Sequence, residues 1–240
     1  MKPIDSNNLK QELDKAICKN HTGKMEGFQS LSTAMTCNKH CQSRAAMDAV
    51  KMELVNGETV EVTPICVKCY AAAMLKRYGS LNQKLERNAA LLATYELKDS
   101  DIPFINCAFF RFEAFGDIIN ELHVNNLFKI AENNPHCTFT LWTKNPFIIR
   151  HAIEAGAVKP NNLIIILSSL FVNINVLDQK YAVIDDFVDK VFTVYDKEHA
   201  QDVTINCGGR KCAECRRCYR KHNDDAMTVD GIEIVNELLK

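Results

Sequence analysis

Eight of the 11 cysteines in this 240-residue chain stand in two groups. The second group is the tighter one, in the pattern C-x4-C-x2-C-x2-C, and comprises Cys207, Cys212, Cys215 and Cys218. The first group is divided by 24 residues and comprises Cys37, Cys41, Cys66 and Cys69. Four thiolates brought together are the ligands of a zinc ion or of an iron–sulfur cluster. We therefore expect a fold in which distant cysteines converge.

The spacing of the second group favours iron over zinc. Zinc sites usually combine two C-x2-C turns that are a dozen or more residues apart, whereas these four cysteines lie within 12 residues. We predict a [4Fe–4S] cluster here. The alternatives are a zinc site and four free thiols without a metal. The segment 205–222 has few apolar residues, so its fold is expected to depend on the bound metal. Its basic residues either compensate the charge of a cluster, contact an anionic partner such as nucleic acid, or form a solvated loop.

The first group raises the question of ligand number. Four cysteine ligands would close a [4Fe–4S] site and make it an electron carrier or a structural site, whereas three would leave one iron open to a substrate or cofactor. The sequence offers four candidates and does not choose between these arrangements. We interpret Cys41, which directly precedes the long gap, as the spare cysteine.

Composition limits the class of protein. An apolar content of 47%, a charged content of 25% and a net charge of −1 are ordinary for a globular protein. No apolar run approaches the ~20 residues that span a bilayer, and the polar N-terminal run MKPIDSNNLKQELDKAI lacks the apolar stretch of a signal peptide. We expect a cytoplasmic protein with no membrane partner, in a reducing compartment where clustered cysteines bind metal.

Strand and helix patterns alternate along the chain, which predicts an α/β fold with a parallel sheet in one domain, 1–240. We expect the segment 42–65 to form a surface insertion, with a hairpin at Asn56-Gly57, and the segment 205–222 to form a Cys-rich metal-binding knot. Strands are predicted at 28–31, 104–112, 138–143, 162–170 and 190–196. Helices are predicted at 70–97 with a break at Gly79, 121–134, 146–155 and 229–240.

Polar residues follow the predicted strands at their carboxyl ends, where parallel sheets bind ligands. Arg111 and Glu113 could act in catalysis after the second strand, and the guanidinium of Arg111 suits a carboxylate or phosphate. Asp117 either faces the ligand or caps the next helix. Thr143 and Lys144 end the next strand, and Ser168 could donate a hydrogen bond to a cofactor. The isolated Cys107 is expected to fill space in its strand.

Three stretches in this order resemble the phage gene-product-88 family of radical-SAM-like iron–sulfur proteins: GKMEGFQSLSTAMTC with ICVKCYAAAMLKRY, then FFRFEAFGDIINELHVNNLFKIAENNPHCTFTLWTKNP, and CAECRRCY. The resemblance covers about 23–219. It implies a partial (βα) barrel of about five to six parallel strands and a first cluster held by Cys37, Cys66 and Cys69. Arg111, Gly116-Asp117 and Thr143-Lys144 match further positions of the family's pattern. Gly116, Asp117 and Thr143 are expected to bind a cofactor, and Lys144 is expected to act in catalysis. The resemblance also implies a second cluster on the Cys207–Cys218 group.

We therefore expect two [4Fe–4S] clusters at the carboxyl ends of the strands. The favoured function is that of a redox or radical-SAM-like enzyme with S-adenosylmethionine as a candidate cofactor and an electron donor as partner. Its substrate, a small molecule or a macromolecule, is not specified by the sequence. A phage-encoded protein of this kind would work in the host cytoplasm. The alternative is a non-enzymatic protein that binds nucleic acid or a protein partner and whose fold is stabilised by zinc or by structural iron–sulfur clusters.

Overall fold

A seven-stranded sheet forms the centre of the computed structural model, which describes residues 3–182 and 184–239. The strands of the chain are β1 (Gln29–Leu31), β2 (Val50–Glu53), β3 (Thr59–Val62), β4 (Phe109–Phe112), β5 (Thr138–Thr143), β6 (Leu163–Ser168), β7 (Lys190–Tyr195), β8 (Met227–Val229) and β9 (Ile232–Leu238). The order in the sheet is β1-β4-β5-β6-β7-β9-β8. Its neighbouring strands pair in parallel, apart from the antiparallel pair of β8 and β9. The predicted α/β class with a mainly parallel sheet is thus confirmed, and closure into a partial barrel stays a prediction.

Helices follow most of the parallel strands. They are α1 (Leu9–Ala16), α2 (Lys39–Ala45), α3 (Tyr70–Arg77), α4 (Gly79–Thr94), α5 (Glu121–Glu132), α6 (Pro146–Glu154) and the short α7 (Cys212–Cys215). The predicted break at Gly79 separates α3 from α4. No helix among the described residues combines the length and apolar character needed to cross a membrane.

One face of the sheet carries the main core. Phe110 and Phe112 of β4 are fully buried there, and the ring of Phe112 stacks on Phe139 of β5 with centroids 5.1 Å apart. Side chains alternate between the faces of a strand, so Arg111 lies on the other face. The strand β6, which is apolar except for its last residue Ser168, is buried along its whole length, as a strand covered on both faces should be.

The second face of the sheet is covered by the Cys-rich segment, 205–222. Ile166, Phe192 and Val235 form a small apolar cluster on this face, and the sulfur-bearing side chains of Cys207 and Cys218 pack against it. The second cysteine group therefore lies over this face of the sheet, and its first member, Cys207, pairs with Glu237 near the carboxyl end of β9.

The insertion 42–65 contains the predicted hairpin of β2 and β3. It is more than a surface feature, because the Val55 amide donates to the Asp178 carbonyl at 2.9 Å and Leu54 pairs with Gln179. These contacts fix the hairpin on the loop that follows β6. The hairpin therefore forms one wall of the cavity described below.

The predicted C-terminal helix at 229–240 is wrong, because β8 and β9 form a hairpin there and β9 pairs with β7. Asp230 and Gly231 have φ angles of 49° and 80°. Asp-Gly with both residues in the left-handed region is a preferred two-residue hairpin turn. The β-branched residues Ile232, Ile234 and Val235 then favour a strand. Lys240 lies outside the described residues.

The predicted strand at 104–112 is also shorter in the structure, which has β4 at Phe109–Phe112. Phe104 is 73% exposed. The apolar run therefore includes an irregular entry segment before the strand, and its composition alone could not distinguish the two.

A buried ion pair joins β7 to β9. The ammonium of Lys190, which is fully buried, contacts the carboxylate of Glu233, its register partner. Glu233 also accepts from the Asn223 side-chain amide at 2.8 Å and from the Arg217 guanidinium at 3.4 Å. Asn223 and Arg217 flank the end of the Cys-rich segment, so this carboxylate anchors that segment to the sheet.

We predict that Lys190→Ala lowers the free energy of unfolding by about 3–5 kcal/mol, because it leaves a buried carboxylate short of its main counter-charge. Urea unfolding monitored by circular dichroism measures the change. The control is Lys180→Ala, which removes an exposed ion pair with Glu53 and should leave the unfolding midpoint nearly unchanged. Equal effects of the two variants would contradict the buried role of Lys190.

Candidate metal and ligand site

A cavity of about 1550 Å³, here called the central cavity, lies between the carboxyl ends of β4–β6, the hairpin of β2 and β3, and the Cys-rich segment. It contains the residues that the sequence analysis placed in catalysis or cofactor binding. These residues are Arg111, Glu113, Gly116, Asp117, Thr143, Lys144 and Ser168. The fold thus brings the predicted side chains together, whereas their roles stay predictions.

Three thiols of the first cysteine group line the central cavity: Cys41, Cys66 and Cys69. Cys41 lies in the first turn of α2, which Asn38 caps with its side-chain oxygen by accepting from the amides of His40 at 2.9 Å and Cys41 at 3.2 Å. Asparagine is among the preferred residues at this position. The cap therefore sets the orientation of the helix that carries Cys41.

Cys66 and Cys69 lie in a single helical turn that leads into α3. The Cys69 amide donates to the Cys66 carbonyl at 3.2 Å, and the Ile65 amide donates to the Leu170 carbonyl at 2.8 Å. The second bond holds the turn against the loop after β6. Burial raises the pKa of the Cys66 thiol, and the Lys144 ammonium opposes that rise. The charge of Lys144 thus partly offsets the effect of burial on the Cys66 thiol.

Cys37 is placed differently from the expectation. It is exposed, and the central cavity includes Cys41 but does not include Cys37 among its described walls. After burial, the main influence that raises the pKa of Cys37 is the Glu86 carboxylate on α4. Cys41, and not Cys37, thus lies on the described wall of the central cavity, and which of the two is a ligand stays a prediction. The physical reason is the turn at 35–37, which precedes α2 and directs the chain so that Cys41 reaches the cavity.

The second cysteine group contributes Cys207, Cys212 and Cys218 to the central cavity. Cys207 is fixed by its amide, which donates to the Asn236 carbonyl of β9 at 2.9 Å. Burial raises the pKa of its thiol, and the ammonium of Lys24, whose Nζ lies 3.3 Å from Cys207 Sγ, opposes that rise. Burial also raises the pKa of Cys218.

Cys215, the fourth member of the second group, is half-buried in α7. It does not contribute to the described walls of the central cavity. The two cysteine groups therefore present three thiols each to one cavity.

Asp117 joins the segments that surround the first group. Its carboxylate accepts from the Thr143 hydroxyl at 2.6 Å and from the Lys144 amide at 2.8 Å. Its own carbonyl accepts from the Asn38 side-chain amide at 2.9 Å. Asn120, and not Asp117, caps α5 by accepting from the His123 amide at 2.9 Å, so the interpretation of Asp117 as that cap is wrong.

Glu113 is a buried carboxyl group beside the cavity. Its φ of 52° breaks the strand alternation at the end of β4, so its carboxylate contacts Thr33 and does not share a face with Arg111 as a regular strand would require. The Thr33 amide and hydroxyl donate to it at 3.2 Å and 2.9 Å. The other carboxylate oxygen lies 3.4 Å from Nε2 of His123. Burial raises the pKa of Glu113 and lowers that of His123 to about 3.

Arg111 stacks on the ring of Trp142, with its guanidinium carbon 4.4 Å from the ring centroid. Its Nη1 contacts the Met25 sulfur at 3.7 Å. Its buried Nε has no hydrogen-bond partner within residues 3–182 and 184–239. A guanidinium that stacks through its face retains its edge for a carboxylate or phosphate.

The donor set of the central cavity suits an iron–sulfur cluster in its chemistry. Thiolates are the ligands of such clusters, and both groups supply three of them. Among the described residues, no three side chains of His, Cys, Asp or Glu converge on the position of a single metal ion. A mononuclear site needs donors about 2.0–2.3 Å from one ion, whereas a cluster is larger and is held by thiolates that lie further apart.

Sequence reasoning missed several residues of this site. Asn38 could have been found, because it directly precedes a helix as capping residues do. Lys24, Thr33 and His123 carry no such signal, since each reaches the site from a segment distant in sequence. His123 in particular resembles any polar residue of an amphipathic helix.

Gly116 packs where a side chain would not fit. Its φ is +71°, and a Cβ atom there would lie 2.5 Å from the Thr33 carbonyl oxygen. We predict that Gly116→Ala lowers the free energy of unfolding by about 1–3 kcal/mol, through backbone strain and displacement of Thr33.

Thermal unfolding followed by circular dichroism measures this effect. The matched control is Gly79→Ala at the start of α4, where a Cβ meets nothing within 4 Å and alanine favours the helix. A control variant as destabilised as Gly116→Ala would contradict the close approach to Thr33.

Comparisons with known proteins identify a family. No curated protein and no solved structure matches the chain. The family model described as Gene product 88 matches residues 7–224. That match covers most of the chain, including both cysteine groups and every residue that the sequence analysis placed in the site. The chain therefore belongs to the phage gene-product-88 family.

Proposed function

We propose that this protein holds two [4Fe–4S] clusters and performs redox or radical-SAM-like chemistry on a molecule bound in the central cavity. The observation that carries the proposal is the presentation of two cysteine groups to one cavity. A purely structural cluster would not need to share a cavity with a second thiol group and with Arg111. The partial (βα) barrel and a location in the host cytoplasm are parts of the same proposal.

The first cluster would be held by Cys41, Cys66 and Cys69. Three thiolates leave one iron without a protein ligand, as an open metal site requires. When bound, such a cluster supplies one-electron transfer and offers a coordination position to a substrate or to a cofactor such as S-adenosylmethionine. Asn38 orients Cys41 by accepting from its amide. The charge of the Lys144 ammonium opposes the rise in the pKa of Cys66 that burial causes.

The second cluster would be held by Cys207, Cys212 and Cys218, with Cys215 as the nearby fourth thiol. Lys24 stabilises negative charge on Cys207. Burial keeps Cys218 protonated when nothing is bound, so metal binding must release that proton. The affinity of this group for iron should accordingly rise with pH.

Arg111 is proposed to bind an anionic group of the substrate. Its guanidinium lies on the wall of the central cavity, with its face on Trp142 and its Nε unpartnered in the described structure. Lys144, on the wall of the same cavity, could add a second positive charge. These groups favour a carboxylate or phosphate in the cavity.

We predict that anaerobically prepared protein is brown and contains about eight irons and eight sulfides per chain, the sum of two cubanes. Iron, acid-labile sulfide and zinc analysis measures the content. Colourless protein with stoichiometric zinc would contradict the proposal.

Two single variants extend the same measurement. Cys41→Ala should reduce iron and sulfide by about half, because Cys41 lines the cavity. Cys37→Ala is the matched control and should retain the full content, because Cys37 is exposed. The opposite pattern would restore Cys37 as the ligand and Cys41 as the spare.

We further predict that inorganic phosphate or acetate perturbs the fluorescence of Trp142, the only tryptophan of the chain, by binding to the guanidinium above it. Arg111→Gln should weaken binding by about 10–100-fold, since hydrogen bonds to charged groups contribute about 1.5–3 kcal/mol. Arg150→Gln, in α6, is the control and should bind as the wild type does. Equal titrations for all three proteins would exclude Arg111 as the anion-binding residue.

A further inference from the structure

Two cysteines outside both groups lie in contact at the other end of the sheet. Cys107 lies two residues before β4 and Cys137 directly before β5, and their sulfur atoms are 3.8 Å apart. This is the amino end of the parallel strands, whereas the central cavity lies at their carboxyl ends. The pair is therefore separate from the proposed cluster site.

The two thiols differ in exposure. Cys137 is 1% exposed and Cys107 is partly exposed. With Cys137 as donor, the hydrogen bond between them lowers the pKa of Cys107 and raises that of Cys137. In oxidisable cysteine pairs, an accessible thiol with a depressed pKa attacks the oxidant, and a second thiol beside it then displaces the attached group to form a disulfide. Cys107 and Cys137 have this arrangement.

We propose that Cys107 and Cys137 form a reversible redox site that reacts with low-molecular-weight disulfides such as oxidised glutathione. The Cys107 thiolate attacks one sulfur of glutathione disulfide, so that a mixed disulfide forms and one glutathione thiolate leaves. Cys137 then attacks the Cys107 sulfur while its proton passes to the departing glutathione sulfur, and the second glutathione leaves as a thiol. Two protein thiols are oxidised and one glutathione disulfide is reduced to two thiols.

The local backbone permits this reaction. A disulfide needs the sulfur atoms at about 2.05 Å, so they must approach from the present 3.8 Å. Cys107 lies in a bend that its amide closes on the Ile105 carbonyl at 2.9 Å. The ladder between β4 and β5 begins beyond it, where the Thr138 amide donates to the Ala108 carbonyl. Cys107 can therefore move without breaking the sheet.

The test uses the full-length protein, prepared anaerobically and then exposed to oxidised glutathione. Peptide mass mapping of the wild type should show a disulfide between Cys107 and Cys137 that dithiothreitol reverses. Cys137→Ser should accumulate one glutathione on Cys107, because the resolving thiol is missing. Cys107→Ser should leave Cys137 unmodified, because Cys137 is buried.

Cys18→Ser is the matched control, since Cys18 is a half-buried cysteine outside both groups, and it should form the wild-type disulfide. A wild-type map without this disulfide, or glutathione on Cys137 in Cys107→Ser, would overturn the proposal. If a serine variant fails to fold, the wild-type map alone decides. Iron content does not enter this measurement, so its outcome is independent of the proposed clusters.

Discussion

Two buried polar side chains, Asn38 and Asp117, determine how the first half of the site is assembled. Asn38 is 2% exposed and Asp117 is 4% exposed. Asn38 caps the helix of Cys41 and donates to the backbone at Asp117 and Ile118, while Asp117 accepts from Thr143 and Lys144 at the end of β5. A buried group that loses its partner costs about 1–3 kcal/mol. Neither segment can therefore shift alone, and the position of Cys41 follows from both.

The Cys-rich segment is held by a second network, and the dependence of its fold on metal stays a prediction. Arg217 is 8% exposed and contacts Glu233, and Tyr219 is buried with its ring 4.6 Å from that of Phe28. These contacts anchor the end of the segment to the sheet. The part around Gly208 and Gly209 lies between the bond of Cys207 to β9 and the ion pair of Lys211 with Glu26, and it is the part whose order is expected to depend most on a bound group.

Hydrophobic periodicity was sufficient to predict most of the parallel strands and the helices that follow them, because the spacing of apolar residues indicates which side chains of a segment are buried. It failed at 229–240, where apolar and acidic residues suit both a helix and a strand, and only pairing with β7 decides. The choice between Cys37 and Cys41 as a ligand lies outside what such patterns can decide and stays a prediction. Both stand at similar distances from Cys66 in the sequence, and the difference arises from a turn and a cap that spacing does not encode. The convergence of Arg111, Asp117 and Lys144 was predictable, since parallel strands end at one edge.

The cavity-facing side of the site carries several polar atoms that lack a partner within the described residues, among them Arg111 Nε, Trp142 Nε1 and His40 Nε2. Buried polar groups in folded proteins are nearly always satisfied, and exceptions usually mark a functional site or a bound group. Arg111, Trp142 and His40 line the same cavity as the thiols of the two cysteine groups. This proximity supports a bound ligand in the central cavity more strongly than it supports a structural metal, because a structural metal would bind the thiols and leave the guanidinium and the indole unpaired.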